Sequence, residues 1–167
     1  MMDLWKHYLC NSNFYYYMKN VSLSSHQELE ERVKELTAEL VDNHEVIWKL
    51  RENPMYLEVD GWKRLEEVTN KIYKNYTQRL KEEFPLLTEL DIQFCILLKL
   101  QFTISQIAAI IAVSSSSVSV QKNRLKKRLL QVKPHLFDDN SRTLDSFLLE
   151  YWLRYINDKL LRFDFWN

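Results

Sequence analysis

Between Ser114 and Lys133 the chain reads SSSSVSVQKNRLKKRLLQVK, five hydroxyls, four of them consecutive, followed by six cations and no acid. Serine hydroxyls and the free amides of a first helical turn hold phosphate oxygens, while arginine, lysine and asparagine side chains pair with anions or with the edges of bases. The surrounding charge supports that chemistry. Residues 1–91 carry 12 basic and 17 acidic side chains, residues 92–137 carry 7 and 0, and residues 138–167 carry 4 and 6. An acid-free window of this length inside a chain of zero net charge is the electrostatic footprint expected for a polyanion.

The elements that must position these residues are helical. One glycine, Gly61, and three prolines in 167 residues leave too little for hairpins, bulges or phosphate-cradling loops, so neither a P-loop nor a dinucleotide-binding fingerprint can be written. Hydrophobic content of 46% with 13% aromatics excludes a wholly disordered chain. We therefore expect an all-α protein. No window holds the roughly 18 uncharged apolar residues of a membrane span, and Met1–Asn20 lacks the continuous apolar core of a secretory signal. Cys10 and Cys95 form no CxxC pair and read as reduced thiols. The expectation is a cytoplasmic protein with no membrane span.

Residues 1–25, with FYYYM, show no periodicity and are assigned to no element. From 26 to 53, Leu29, Val33, Leu36, Leu40, Asn43, Ile47 and Leu50 recur at steps of four and three. That seam fits an amphipathic helix packed in its own domain or, on its narrow stripe, a parallel dimeric coiled coil in which Asn43 fixes register. Residues 54–86 begin with the linker ENPMYLEVDG. They continue as one connecting helix, about Trp62 to Glu83, with Trp62, Leu65, Val68 or Thr69, Ile72, Tyr76 and Leu80 on a face and Pro85 as its stop.

Residues 87–133 hold three short helical patterns. Thr88 caps the first, with Glu89 and Asp91 in its first turn and Leu90, Phe94, Leu97 and Leu98 on the buried face. Thr103 and Gln106 make a capping box for the second, where Ile107, Ala108 and Ile111 point inward. After the turn AVS, Ser114 caps the third, with Val118, Leu125 and Leu129 as its apolar stripe. A short helix, a tight turn and a longer basic helix is the pattern of a helix-turn-helix.

The stretch LTELDIQFCILLKLQFTISQIAAIIAVSSSSVSVQKNRLKKRL resembles the LuxR-type output domain of bacterial transcription regulators. That pattern reads L-T-x-x-E, S-x-K-E-I-A-x-x-L, I-S-x-x-T-V-x-x-H, and a closing K-K-L. Leu87 and Thr88 fall on the L-T, Ile107 and Ala108 on the I-A, and Ile111 on the following leucine. Val113 and Ser114 fall on the I-S, Ser117 and Val118 on the T-V, and Lys127, Arg128 and Leu129 on the K-K-L. It is close to a subgroup of sensor-linked regulators in which a coiled coil precedes this domain. Ser105 and Gln106 depart from the family's lysine and glutamate. A sigma-factor region 4 domain has nearly the same helical pattern.

The resemblance implies double-stranded DNA as the partner. With Val118 on the core, 100° per residue turns Ser116, Ser119, Val120, Asn123, Arg124 and Lys127 outward. Asn123 suits adenine, Arg124 guanine, and Val120 a thymine methyl. Ser115 and Ser116 are placed for a backbone phosphate, and Lys122, Lys126, Arg128 and Lys133 at the sides for neutralising others. We expect no catalysis, because no G-x-S-x-G elbow accompanies the serines, and the 114–117 run is explained by capping and turn chemistry. No metal or other cofactor is expected either, because His26, His44 and Glu45 lack a second ligand pair and His7 and His135 are isolated.

Residues 134–167 form an amphipathic C-terminal helix. Leu144, Phe147, Leu148, Tyr151, Trp152, Tyr155 and Ile156 line a stripe that Leu160, Leu161, Phe163, Phe165 and Trp166 extend. So wide a stripe must pack on the basic domain, on the connecting helix or on a second subunit, and dimerisation is the expectation here. The combined expectation is a homodimeric, sequence-specific DNA-binding regulator with half-sites about one helical turn apart. Its signal would come from a separate sensor protein, and RNA polymerase is a further expected partner. The alternative is a helix-turn-helix-shaped module that binds other proteins through its aromatic and heptad surfaces.

Overall fold

The computed structural model describes residues 27–138 and 142–163, with side chains of the last helix through Tyr155. The aromatic-rich stretch 1–25, Cys10, His7 and His26 lie outside the described residues, as do the side chains assigned to the far end of the C-terminal stripe. Every regular element among the described residues is an α-helix. We number them α1 (27–42), α2 (Glu45–Glu52), α3 (Val59–Ile72), α4 (Tyr76–Glu83), α5 (Glu89–Lys99), α6 (Ile104–Ile110), α7 (Ser115–Val132) and α8 (Leu144–Phe163). The chain parts into two compact units, Met1–Ala38 and Glu39–Asn167. In the described part of the first, Arg32 pairs with Glu35 and Lys34 with Glu30 and Glu31 along one helix, the i,i+3 and i,i+4 pattern of a solvated face.

In the second unit α5 is the central element. Ile92, Phe94, Cys95, Ile96, Leu97 and Leu98 are buried all round it, and α3, α4 and α8 pack against it. A helix apolar on every face belongs inside. Leu90, expected on its buried face, is instead exposed, one turn too early to be covered. Aromatic rings from three elements fill the space beside α5: Tyr73, Tyr76, Phe84, Phe147, Tyr151 and Trp152 meet mostly edge-on or tilted at 5.5–6.4 Å between centroids. Through Trp152 the stripe of α8 is thus consumed within its own chain, with Leu144, Phe147, Leu148, Tyr151 and Trp152 all buried. At about 2 kcal/mol per buried side chain this docking accounts for their apolarity without a second subunit. The expectation that these residues form a dimer interface is corrected accordingly.

Two long helices read from periodicity are each broken. The 26–53 seam stops at Asn43, and His44 takes an extended conformation (φ −76°, ψ 118°) before α2 starts. Asn43 is a turn residue rather than a seam position, and Ile47 and Leu50 are buried in the second unit. The connecting helix breaks after Ile72, where Lys74 and Asn75 both adopt left-handed backbone (φ 53° and 58°). Asparagine tolerates that region, and the Asn75 amide donates back to the Asn70 carbonyl at 2.9 Å, satisfying an orphan group of the ending helix. The Asn70 side chain then accepts from the Thr77 amide at 2.9 Å, and the Thr77 hydroxyl donates to Glu66 at 2.7 Å, fastening α4 beside α3.

The segment between α2 and α3 is tied down as well. Arg51 donates to the Leu100 carbonyl at 2.8 Å and pairs with Asp42 at 2.6 Å. The Gln106 side chain donates to the Arg51 carbonyl at 2.9 Å, and the Leu57 amide to the Ile110 carbonyl at 3.1 Å. A Cβ at Gly61 would stand 2.7 Å from Leu57 Cδ2, the end of a side chain that would have to turn aside. The Leu57 bond ties the linker to α6, and the Arg51 and Gln106 bonds hold the end of α2 beside α6.

Candidate nucleic-acid interface

The Thr103 hydroxyl accepts from the Gln106 amide at 3.3 Å, and the Gln106 side chain accepts from the Thr103 amide at 2.8 Å, so the expected capping box starts α6. Ile107, Ala108 and Ile110 are buried, and Ile111, expected inward, is only half covered because it already belongs to the turn. Residues 111–114 link α6 to α7, which cross at 93°, within the range of helix-turn-helix pairs. The Val113 amide closes the turn on the Ala108 carbonyl at 2.9 Å. Ala112 bears the reversal at φ 53°, where a Cβ is unfavourable. Ala112→Gly is therefore expected to stabilise the fold by about 0.5 kcal/mol, seen as a raised urea midpoint at unchanged slope.

Ser114 caps α7, its hydroxyl accepting from the Ser117 amide at 3.2 Å. Val118, Leu125 and Leu129 are fully buried, which fixes the rotation of the helix. Ser115, Ser116, Ser119, Val120, Asn123, Arg124 and Lys127 are consequently exposed, and the outward set read from the sequence is assembled on one solvent face. Arg124 and Lys127 have no ion-pair partner among the described residues.

The flanking cations are placed differently. Lys122 pairs with Asp145 of α8 at 2.6 Å, Lys126 lies 4.8 Å over the Phe137 ring, and Lys133 pairs with Glu83. Arg128 points inward and grips both carboxylate oxygens of Asp91 at 2.6 Å. Lys99 is buried in the core. The acid-free window is a property of sequence: acids just outside it, Glu83, Asp91 and Asp145, neutralise three of its cations in space. The assignment of Arg128 to phosphate is corrected, since its guanidinium is committed to a carboxylate with no solvent exposure. Lys122 is diverted but, on the surface, can exchange partners.

Asp91 is the positioning residue that sequence reading took only for a first-turn acid. Its carboxylate accepts from the Thr88 amide at 2.8 Å, the Thr88 hydroxyl at 2.6 Å, Gln121 at 3.1 Å and Arg128, so it pins α7 to the start of α5. Gln121, likewise unassigned from the sequence, supplies the second tie. The available signal was the L-T-x-x-E pattern, whose acid falls on Asp91.

Electrostatically the face is small, polar and mildly cationic, suited to an anionic backbone with few bidentate contacts. Among the described residues no helix is by itself long and apolar enough to cross a membrane, and no group of His, Cys, Asp and Glu gathers as metal ligands do. No protein-family model, curated protein or solved structure matches the chain.

Proposed function

We propose that the chain is a cytoplasmic, sequence-specific DNA-binding transcription regulator that acts as a homodimer and lays α7 in the major groove of double-stranded DNA. The reading rests on the solvent face of α7: seven exposed residues without an acid, projecting at 93° from α6 across a four-residue turn. The resemblance to LuxR-type output domains supports it, and a separate sensor protein and RNA polymerase are the partners that resemblance implies.

Binding to generic duplex is expected to weaken with salt at a slope of about −2 to −3 per bound protomer in log–log form, from Arg124, Lys127 and Lys126 at roughly 0.9 per phosphate. Arg124→Ala should relax base preference by about 1–3 kcal/mol, and Lys126→Ala should weaken all sequences alike. Asp145→Asn frees Lys122 and removes a negative charge, so its slope should steepen by about 0.9 with tighter binding. A slope unchanged in Asp145→Asn would show that Lys122 takes no part.

The capture of three cations by neighbouring acids favours a second reading, a helix-turn-helix-shaped protein-interaction module. Selection from a random duplex pool separates the two: an enriched site establishes sequence-specific reading, and the absence of enrichment together with salt-independent binding supports the module.

A further inference from the structure

Helices α4 and α8 border an open cleft of about 450 Å³, lined among the described residues by Arg79, Glu82, Glu83, Tyr151, Arg154 and Tyr155. That volume suits a small molecule. Arg79 is the anomaly in its wall. The guanidinium is half-buried and Nη2 donates to the Tyr73 carbonyl at 2.7 Å, but Nε and Nη1 are buried without a hydrogen-bond partner. Among the described residues no carboxylate pairs with it. Its central carbon lies instead 3.9 Å from the Tyr155 ring and 5.8 Å from that of Tyr151. Aromatic faces support a cation but do not replace an N–H···O bond, and orphaned donors of a buried charge mark a missing partner. Arg154, on the other side of the cleft, is exposed, lies 5.4 Å from the Phe147 ring and has no acid paired with it among the described residues.

We infer that this cleft binds a small monocarboxylate with a flat apolar body. Two guanidiniums without acids call for an anion, and the rings of Tyr151 and Tyr155 offer flat apolar walls. The acids of the cleft do not supply the missing charge: Glu83 accepts from the Tyr151 hydroxyl at 2.6 Å and pairs with Lys133, and Glu82 accepts from Gln78 at 2.8 Å. They do select against a phosphate dianion, whose second charge they would repel. The ligand carboxylate takes the Arg79 donors as the Tyr155 ring turns aside, because a charge-assisted hydrogen bond is stronger than the contact with an aromatic face. Arg154 supplies the second cation from α8. The inference does not rest on DNA binding, since none of these residues belongs to α7.

Titration calorimetry of the full chain with benzoate is the test, with benzamide as the neutral isostere and inorganic phosphate as the dianion. Benzoate should bind saturably in about the millimolar range. Benzamide and phosphate should each bind at least about tenfold more weakly. Arg154→Gln, at an exposed position, should weaken benzoate about fivefold, and Arg79→Lys about tenfold because an ammonium lacks the planar fork. Circular dichroism confirms that both variants keep their helix content. Glu82→Gln removes a repulsion and should tighten benzoate about twofold. Benzamide binding as well as benzoate, or benzoate binding indifferent to both arginine variants, would overturn the anion site. Phosphate as the tighter ligand would overturn the monocarboxylate, and an absence of saturation up to about 20 mM benzoate would overturn the cleft as a binding site.

Discussion

Arg128→Met is expected to destabilise the fold by about 3 kcal/mol, although the replaced side chain lies on the basic helix and looks dispensable from the sequence. Its partner Asp91 has no solvent exposure, and Arg128 holds both of its oxygens at 2.6 Å. Removing one member of a buried pair leaves the other charge without compensation, typically at 3–5 kcal/mol. Arg128 itself keeps a third of its side chain in water, and the Thr88 and Gln121 donors remain on the carboxylate, which together place the loss at the lower end. Asp91→Asn should cost about 2 kcal/mol, because the amide presents N–H groups to donors while the freed guanidinium can turn to solvent. A double-mutant cycle by urea unfolding should return a coupling of about 2 kcal/mol. Independent losses that simply add would mean that the pair is not what joins α7 to α5. If the proposed DNA reading is right, both variants should also lose base preference at temperatures where they remain folded, since α7 is no longer held in one orientation.

What the sequence disclosed and what it hid divide along physical lines. Helix starts were legible because capping is local: Thr88, Thr103 and Ser114 each carry their signal within three residues, and each caps the helix assigned to it. The rotation of α7 was legible because Val118, Leu125 and Leu129 fix one buried side. Helix interruptions were hidden, because an apolar period continues across a break when both pieces bury the same side. Leu65 and Tyr76 both face the core although Lys74 and Asn75 reverse the backbone between them. Asparagine in KNY was the one available hint. The fate of the cations was also hidden. Charge counts along a chain register neither Asp145, 23 residues beyond Lys122, nor Glu83, 50 residues before Lys133. A window free of acids is therefore a weaker predictor of surface potential than the folded face it contributes to.

Lys99 carries the converse lesson, a cation that never reaches the surface. In the sequence it only interrupts the apolar run FCILLKLQF, yet it is 5% exposed, donates to the Leu149 carbonyl at 2.6 Å and lies 4.5 Å over the Tyr73 ring and 5.7 Å over that of Trp152. No carboxylate touches it among the described residues. Burial, with repulsion from Arg79 added, lowers its pKa from 10.5 to about 7. Between those values the unfolded chain holds a proton that the folded chain releases, so stability rises with pH through that window, and the deficit is complete below about 7. Lys99→Met fills similar volume without the charge and is expected to stabilise the fold at neutral pH. The full shift at about 1.4 kcal/mol per unit sets a ceiling of about 5 kcal/mol. The aromatic faces and the carbonyl favour the ammonium and retain part of that, leaving a gain of about 2–4 kcal/mol. Urea unfolding of the parent and variant at pH 7 and 9.5 checks both sign and slope. The gap should narrow by more than half at the higher pH, whereas a variant weaker than the parent at pH 7, or a gap unchanged with pH, would show that Lys99 is stabilised as a cation by the rings around it.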